Sequence, residues 1–142
     1  MRLNYLIIIL LFFFAGCEKT PDEVLLRQNI TDMQTALEQR QAGDFLQHVA
    51  EDYQDNYGQD IKSLKRLLLA NFIRHSNINT FINNIEVTIS GGTATITFTA
   101  TLTGGQGLIP DSGRIYTVIT KWRKQSSDWL LFSARWEAKL SS

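Results

Sequence analysis

The chain contains one cysteine, Cys17, so it has no partner for an internal disulfide and cannot assemble a thiolate metal cluster. Two prolines and nine glycines in 142 residues exclude a collagenous or low-complexity fibre. Neither sign of charge is in excess, because fourteen Lys and Arg are balanced by fourteen Asp and Glu. Without a basic field to attract a phosphate backbone, no nucleic-acid partner is expected. Histidine is scarce: His48 and His75 are the full set, and no Ser–His–Asp order or Cys–His pair is present. There is no repeat and no glycine-rich phosphate loop. Asp52, Asp55, Asn56 and Asp60 are crowded together, but their spacing departs from that of a calcium loop. Turn chemistry and helix capping by Asp60 account for them, so neither a metal nor a cofactor is expected.

What is present is a globular composition, 44% hydrophobic and 11% aromatic, preceded by a distinct leader. A basic start (the amino terminus and Arg2) is followed by Leu3 to Ala15, apolar except for Asn4. That run is shorter than the roughly twenty residues a membrane-crossing helix needs, and it fits the apolar region of a secretory signal. The next residues, Phe14-Ala15-Gly16-Cys17, resemble the lipobox of bacterial lipoproteins, with Phe14 where Leu is usual. The resemblance implies a signal peptide over 1–16, cleavage after Gly16, a diacylglyceryl group on Cys17 and a further acyl chain such as palmitate on its amino group. Two or more acyl chains anchor a protein durably. Glu18 in place of the Asp that retains lipoproteins in the inner membrane implies, in a Gram-negative cell, the outer membrane facing the periplasm. Residues 17–142 then form a single domain tethered to a membrane face.

The pattern of that domain changes once, near Asn77, from helix to strand, which indicates an α+β layer architecture. Thr20-Pro21-Asp22-Glu23 is a helix start, followed by Leu26, Ile30, Met33 and Leu37 on one face, with Gly43 as the stop. Asp44 caps a predicted second helix from Phe45 to about Glu51, and a polar stretch over 52–60 leads to a third, Ile61 to His75. Ile85, Val87 and Ile89 alternate up to a Gly91-Gly92 turn. From Thr93 to Thr103 every odd position is Thr, and Ala94, Ile96, Phe98, Ala100 and Leu102 fill the even ones. That period of two predicts one buried and one wet face. Strands over Arg114 to Lys124 and Trp129 to about Ala138 complete a predicted four-stranded antiparallel meander against three helices. In regular alternation Trp122 and Trp136 share a face and Trp129 lies opposite.

This order of elements resembles the nuclear transport factor two-like superfamily, a cystatin-like cone that includes SnoaL-like proteins. The likeness covers Pro21 to Leu140 and rests on the hairpin Val118-Ile119-Thr120-Lys121-Trp122-Arg123-Lys124 with Trp129-Leu130-Leu131. Asp52-Tyr53-Gln54-Asp55 with Gly58, and Thr103-Gly104-Gly105 through Gly113-Arg114-Ile115-Tyr116, are similar to phrases in small bacterial members. The superfamily spans isomerases, dehydratases, cyclases, transport adaptors and secretion components, so the resemblance implies a hollow and names no activity.

Tyr53, Tyr57, His75 and Tyr116 are the candidate pocket residues, each with a structural alternative as a buried phenol or a helix-terminal imidazole. His48 reads as solvated on the short helix, and Lys62, Lys65 and Arg66 as a solvated helix face. The buried face of the Thr93–Thr103 strand carries no ionisable group, which counts against acid–base catalysis. The expected role is therefore that of a non-catalytic, membrane-tethered envelope protein binding a small apolar ligand or a protein partner, with a homodimer through the sheet one such partnership. Two alternatives stand beside it: a small isomerase, dehydratase or cyclase using the cone, and a structural subunit of an envelope complex.

Overall fold

The computed structural model describes residues 20–105 and 113–139. The leader over 1–16, Cys17 and most of the Gly104–Gly113 loop lie outside the described residues.

Helix α1, Pro21–Glu38, starts where the sequence places it. The Thr20 hydroxyl accepts from the Glu23 N–H at 3.2 Å, Pro21 fills the first turn, and Asp22 and Glu23 face the positive end of the helix dipole. Leu26, Ile30, Met33 and Ala36 are buried along one stripe. The helix ends before the expected stop. Arg40, not Gly43, takes the left-handed conformation (φ 57°). Gln41 N–H then bonds to Ala36 O at 2.8 Å and Arg40 N–H to Leu37 O at 3.2 Å, the paired bonds of a Schellman termination.

Helix α2, Ala42–Leu46, is only five residues long, and the chain then enters a strand, β1 (Val49–Asp55). The expected helix to Glu51 is thus corrected. Local pattern gave no warning, because a register shift between Val49 and Gln54 obscures the alternation. The strand is held by the segment Asp128–Ala138 alongside it: Leu131 N–H bonds to His48 O at 2.8 Å and Asn56 N–H to Ala134 O at 3.2 Å. Helix α3, Ile61–Arg74, is capped by Asp60, whose carboxylate accepts from Ser63 N–H at 2.8 Å; Leu64, Leu68 and Phe72 form its buried stripe.

The remaining strands are β2 (Asn77–Ser90), β3 (Thr93–Gly105), β4 (Gly113–Gln125) and β5 (Asp128–Ala138). With β1 they form one mixed sheet in the order β1-β5-β4-β3-β2, β1 parallel to β5 and every other pair antiparallel. The expected four-stranded antiparallel sheet is therefore replaced by five strands, one of them parallel.

Two bulges set which side chains face the helices. In β2 the register steps from Asn83↔Thr99 to Glu86↔Thr97, and Asn84 takes a positive φ of 54°. The inward phase changes there, from Ile78 and Ile82 to Ile85, Val87 and Ile89. In β5, Lys121↔Ser133 is followed by Trp122↔Leu131, leaving Phe132 as the extra residue. The shift turns Trp129 and Trp136 to the same side as Trp122. Regular alternation had put Trp129 opposite; instead Trp122 and Trp129 are both fully buried.

Candidate functional site

The concave sheet face and the three helices enclose a hollow of about 680 Å³. Small side chains make the room: Ala100 on β3 and Ala134 on β5 contribute single methyl groups to its floor, between Phe98, Val118 and Trp136. Ile30, Met33 and Leu37 of α1 and Leu64 and Leu68 of α3 close it from above. Most of this wall is apolar, as is usual for sites that hold small organic molecules.

Three of the four candidate pocket residues line this hollow, and one does not. Tyr53, His75 and Tyr116 are at its wall. Tyr57 is absent from the lining and 58% exposed. Its role lies in clamping β5: the hydroxyl donates to Trp136 O at 3.1 Å and the ring packs edge-on against Trp136 at 5.1 Å. Asn56 completes the clamp, with its amide donating to Trp136 O at 3.3 Å and its carbonyl accepting from Trp136 N–H at 3.2 Å. The polar turn is thus spent on sheet assembly. Asp55 receives the N–H groups of Tyr57 and Gln59, Asp52 pairs with Arg123, and Asp60 caps α3.

Tyr53 is nearly fully buried, and its hydroxyl donates to Asp55 at 3.4 Å. Burial, reinforced by the adjacent Asp55 charge, drives its pKa well above that of an ordinary phenol, so it stays protonated. His75 ends α3, with its N–H bonded to Asn71 O at 2.9 Å. Its ring packs over Gly104, where an added Cβ would lie 3.2 Å from the imidazole, so the glycine makes room for it. Tyr116 tilts against Trp136 at 5.7 Å. Thr120 lies deep in the floor, but its hydroxyl is committed: it donates to Ile96 O at 2.9 Å and accepts from the Trp122 indole at 2.8 Å.

Among the described residues, the ionisable lining side chains are Tyr53, Arg74, His75, Arg114 and Tyr116, with no Asp or Glu. His75 is the one imidazole among them, the side-chain type most often used as a general base. Sequence reasoning missed the two arginines. The available signals were the position of Arg74 beside His75 and the even parity Arg114 shares with Tyr116, Val118 and Trp122.

His48 lies outside the hollow and is not solvated as expected. Its Nε2 is buried without a hydrogen-bond partner, and burial lowers its pKa against the opposing charges of Asp32 and Asp128. Among the described residues no helix is long and apolar enough to cross a membrane.

No protein-family model and no curated protein matches the chain. Solved structures do. A Nostoc punctiforme protein of unknown function with a cystatin-like fold is 16% identical, with a TM-score of 0.71 over 87% of this chain and 95% of that one. A nuclear transport factor two-like protein of unknown function from Pseudomonas putida gives 15% and 0.74 over 87% and 90%. The hexachlorocyclohexane dehydrochlorinase of Novosphingobium barchaimii gives 9% and 0.70 over 84% and 87%. The chain therefore has the nuclear transport factor two-like, cystatin-like α+β cone fold.

Proposed function

We propose that this protein is a binding module, a lipid-tethered envelope domain that holds a small apolar ligand in its cone. The observation that carries the reading is the lining of the hollow: about 680 Å³ of largely apolar wall with no carboxylate among the described residues. Acid–base enzymes pair titratable groups held in mutual reach. Here the Tyr53 hydroxyl is turned to Asp55, and the Thr120 hydroxyl is occupied on both sides. Native mass spectrometry of the purified full chain tests the reading directly. Copurified small molecule, released by unfolding, is the expected result; a stable dimer carrying none would overturn it and favour a partner surface on the sheet.

The tether belongs to the same proposal and rests on the apolar run over Leu3 to Ala15 and on Phe14-Ala15-Gly16-Cys17. Cys17→Ser should abolish palmitate labelling and release the protein from the membrane fraction, and labelling that survives would refute the anchor. A second reading, a small lyase or isomerase, is favoured by one observation: His75 and Tyr116 line the same hollow. Turnover of a hydrogen-bearing apolar substrate that disappears in His75→Gln, with fold intact, would establish it.

A further inference from the structure

Among the described residues, the rim of the hollow carries one sign of charge: Arg74 and Arg114 line it, and no described Asp or Glu does. Four ion pairs join described residues, namely Arg27–Glu23, Arg123–Asp52, Lys124–Asp22 and Arg135–Glu137, and neither rim arginine takes part in any of them. In a chain of zero net formal charge this is a local concentration.

The fold brings both cations to one end of the hollow. Arg114 is paired with Leu102 in the β3–β4 register. Two residues further along β3, Gly104 lies beneath the His75 ring, and Arg74 immediately precedes His75 in the last turn of α3. The carbonyls ending α3 contribute a partial negative charge of about one half, which two guanidinium groups outweigh. At the other end the floor is formed by Trp122 and Leu131, both buried. The hollow is therefore apolar at depth and cationic at the Leu102–Gly104 end.

We infer that its ligand is an amphipathic acid, an apolar body bearing one terminal anionic group. The body lies against Phe98, Ala100 and Val118, and the anion is held by Arg74 and Arg114, whose planar forks suit carboxylate, sulfonate or phosphate oxygens. The inference rests on the binding reading above and adds the charge of the ligand to it. Both arginines are exposed, so each contributes modestly and in a salt-dependent way.

Two fluorescent probes share one apolar body: anilinonaphthalene sulfonate carries an anion, and phenylnaphthylamine does not. Titrated into the full-length protein at low salt, both should bind. Arg74→Gln and Arg114→Gln should each weaken the sulfonate about threefold, and the double substitution about tenfold, with the neutral probe unchanged. Added salt should reproduce the loss for the sulfonate alone. Equal weakening of both probes, or a sulfonate affinity indifferent to the double substitution, would overturn the inference while leaving the cavity reading intact. Ala100→Trp, which pushes an indole from the floor into the hollow, should weaken both alike. Failure of both probes to bind the unsubstituted protein, or undiminished affinity of both for a folded Ala100→Trp, would overturn the cavity reading itself.

Discussion

The most consequential single side chains are polar ones inside apolar surroundings. Thr120 stands between Ile96 O and the Trp122 indole, so one hydroxyl satisfies a carbonyl on β3 and the largest side chain in the core. Thr120→Val keeps the shape and strands the indole N–H, which should lower unfolding free energy by about 1–3 kcal/mol in denaturant titration. His48 is the opposite case, an imidazole whose buried Nε2 has no partner. Its folded pKa is depressed by burial, so the folded state binds fewer protons than the unfolded state. The stability linked to His48 is complete above the ordinary histidine pKa of about 6.5 and declines as pH falls below it. His48→Leu should flatten the melting temperature between about pH 6.5 and 5, and an unchanged slope would show that another group controls it.

Among the elements, the hairpins differ in how well the residues fit their turns. Gly91 and Ser126 each occupy the first position of a two-residue turn, with φ of 59° and 58°. Glycine adopts that conformation freely, and serine does so under strain. Ser126→Gly should therefore stabilise the protein by about 0.5–1 kcal/mol, seen as a melting temperature a few degrees higher. Elements with clean periodicity were legible from residues alone: the Thr-odd, apolar-even run of β3, and the stripes of α1 and α3. Those that depend on a neighbour were not. β1 is a strand because β5 runs beside it, and the first half of β2 is rich in Asn, with a bulge that resets its phase. The same kind of slip at Phe132 concealed the inward turn of Trp129. The candidate site was legible to a matching extent. Tyr53, His75 and Tyr116 follow from element order, whereas Tyr57 turns outward because β5 offers it a carbonyl.

Across the whole molecule, carboxylates tie the helical layer to the sheet. Asp22 receives Lys124 Nζ at 3.0 Å and the Trp129 indole at 3.1 Å, and these contacts hold its carboxyl below the ordinary range. Glu38, at the far end of α1, accepts both the N–H and the hydroxyl of Thr80, the hydroxyl bond being the larger cause of its lowered pKa. Asp52 and Asp60 are lowered in the same direction, by Arg123 and by Ser63. Each such group stabilises the fold above its unfolded pKa near 4 and loses that contribution as pH falls through the folded value. A second, steeper loss of stability is therefore expected below about pH 4, distinct from the histidine phase.

Thr80 lies on β2, an outer strand of the sheet, and α1 reaches its backbone at several points. Gln34 donates to Thr80 O at 3.1 Å and Arg27 to Ile85 O at 3.5 Å, beside the Glu38 contact. Bare outer strands recruit strands from other molecules. Glu38→Ala should therefore increase self-association near neutral pH, measured by light scattering, before any unfolding is seen. With the tether proposed above, copies at high local density on a bilayer would meet constantly, and three side chains from the leading helix would then keep neighbours from zipping together into ribbons.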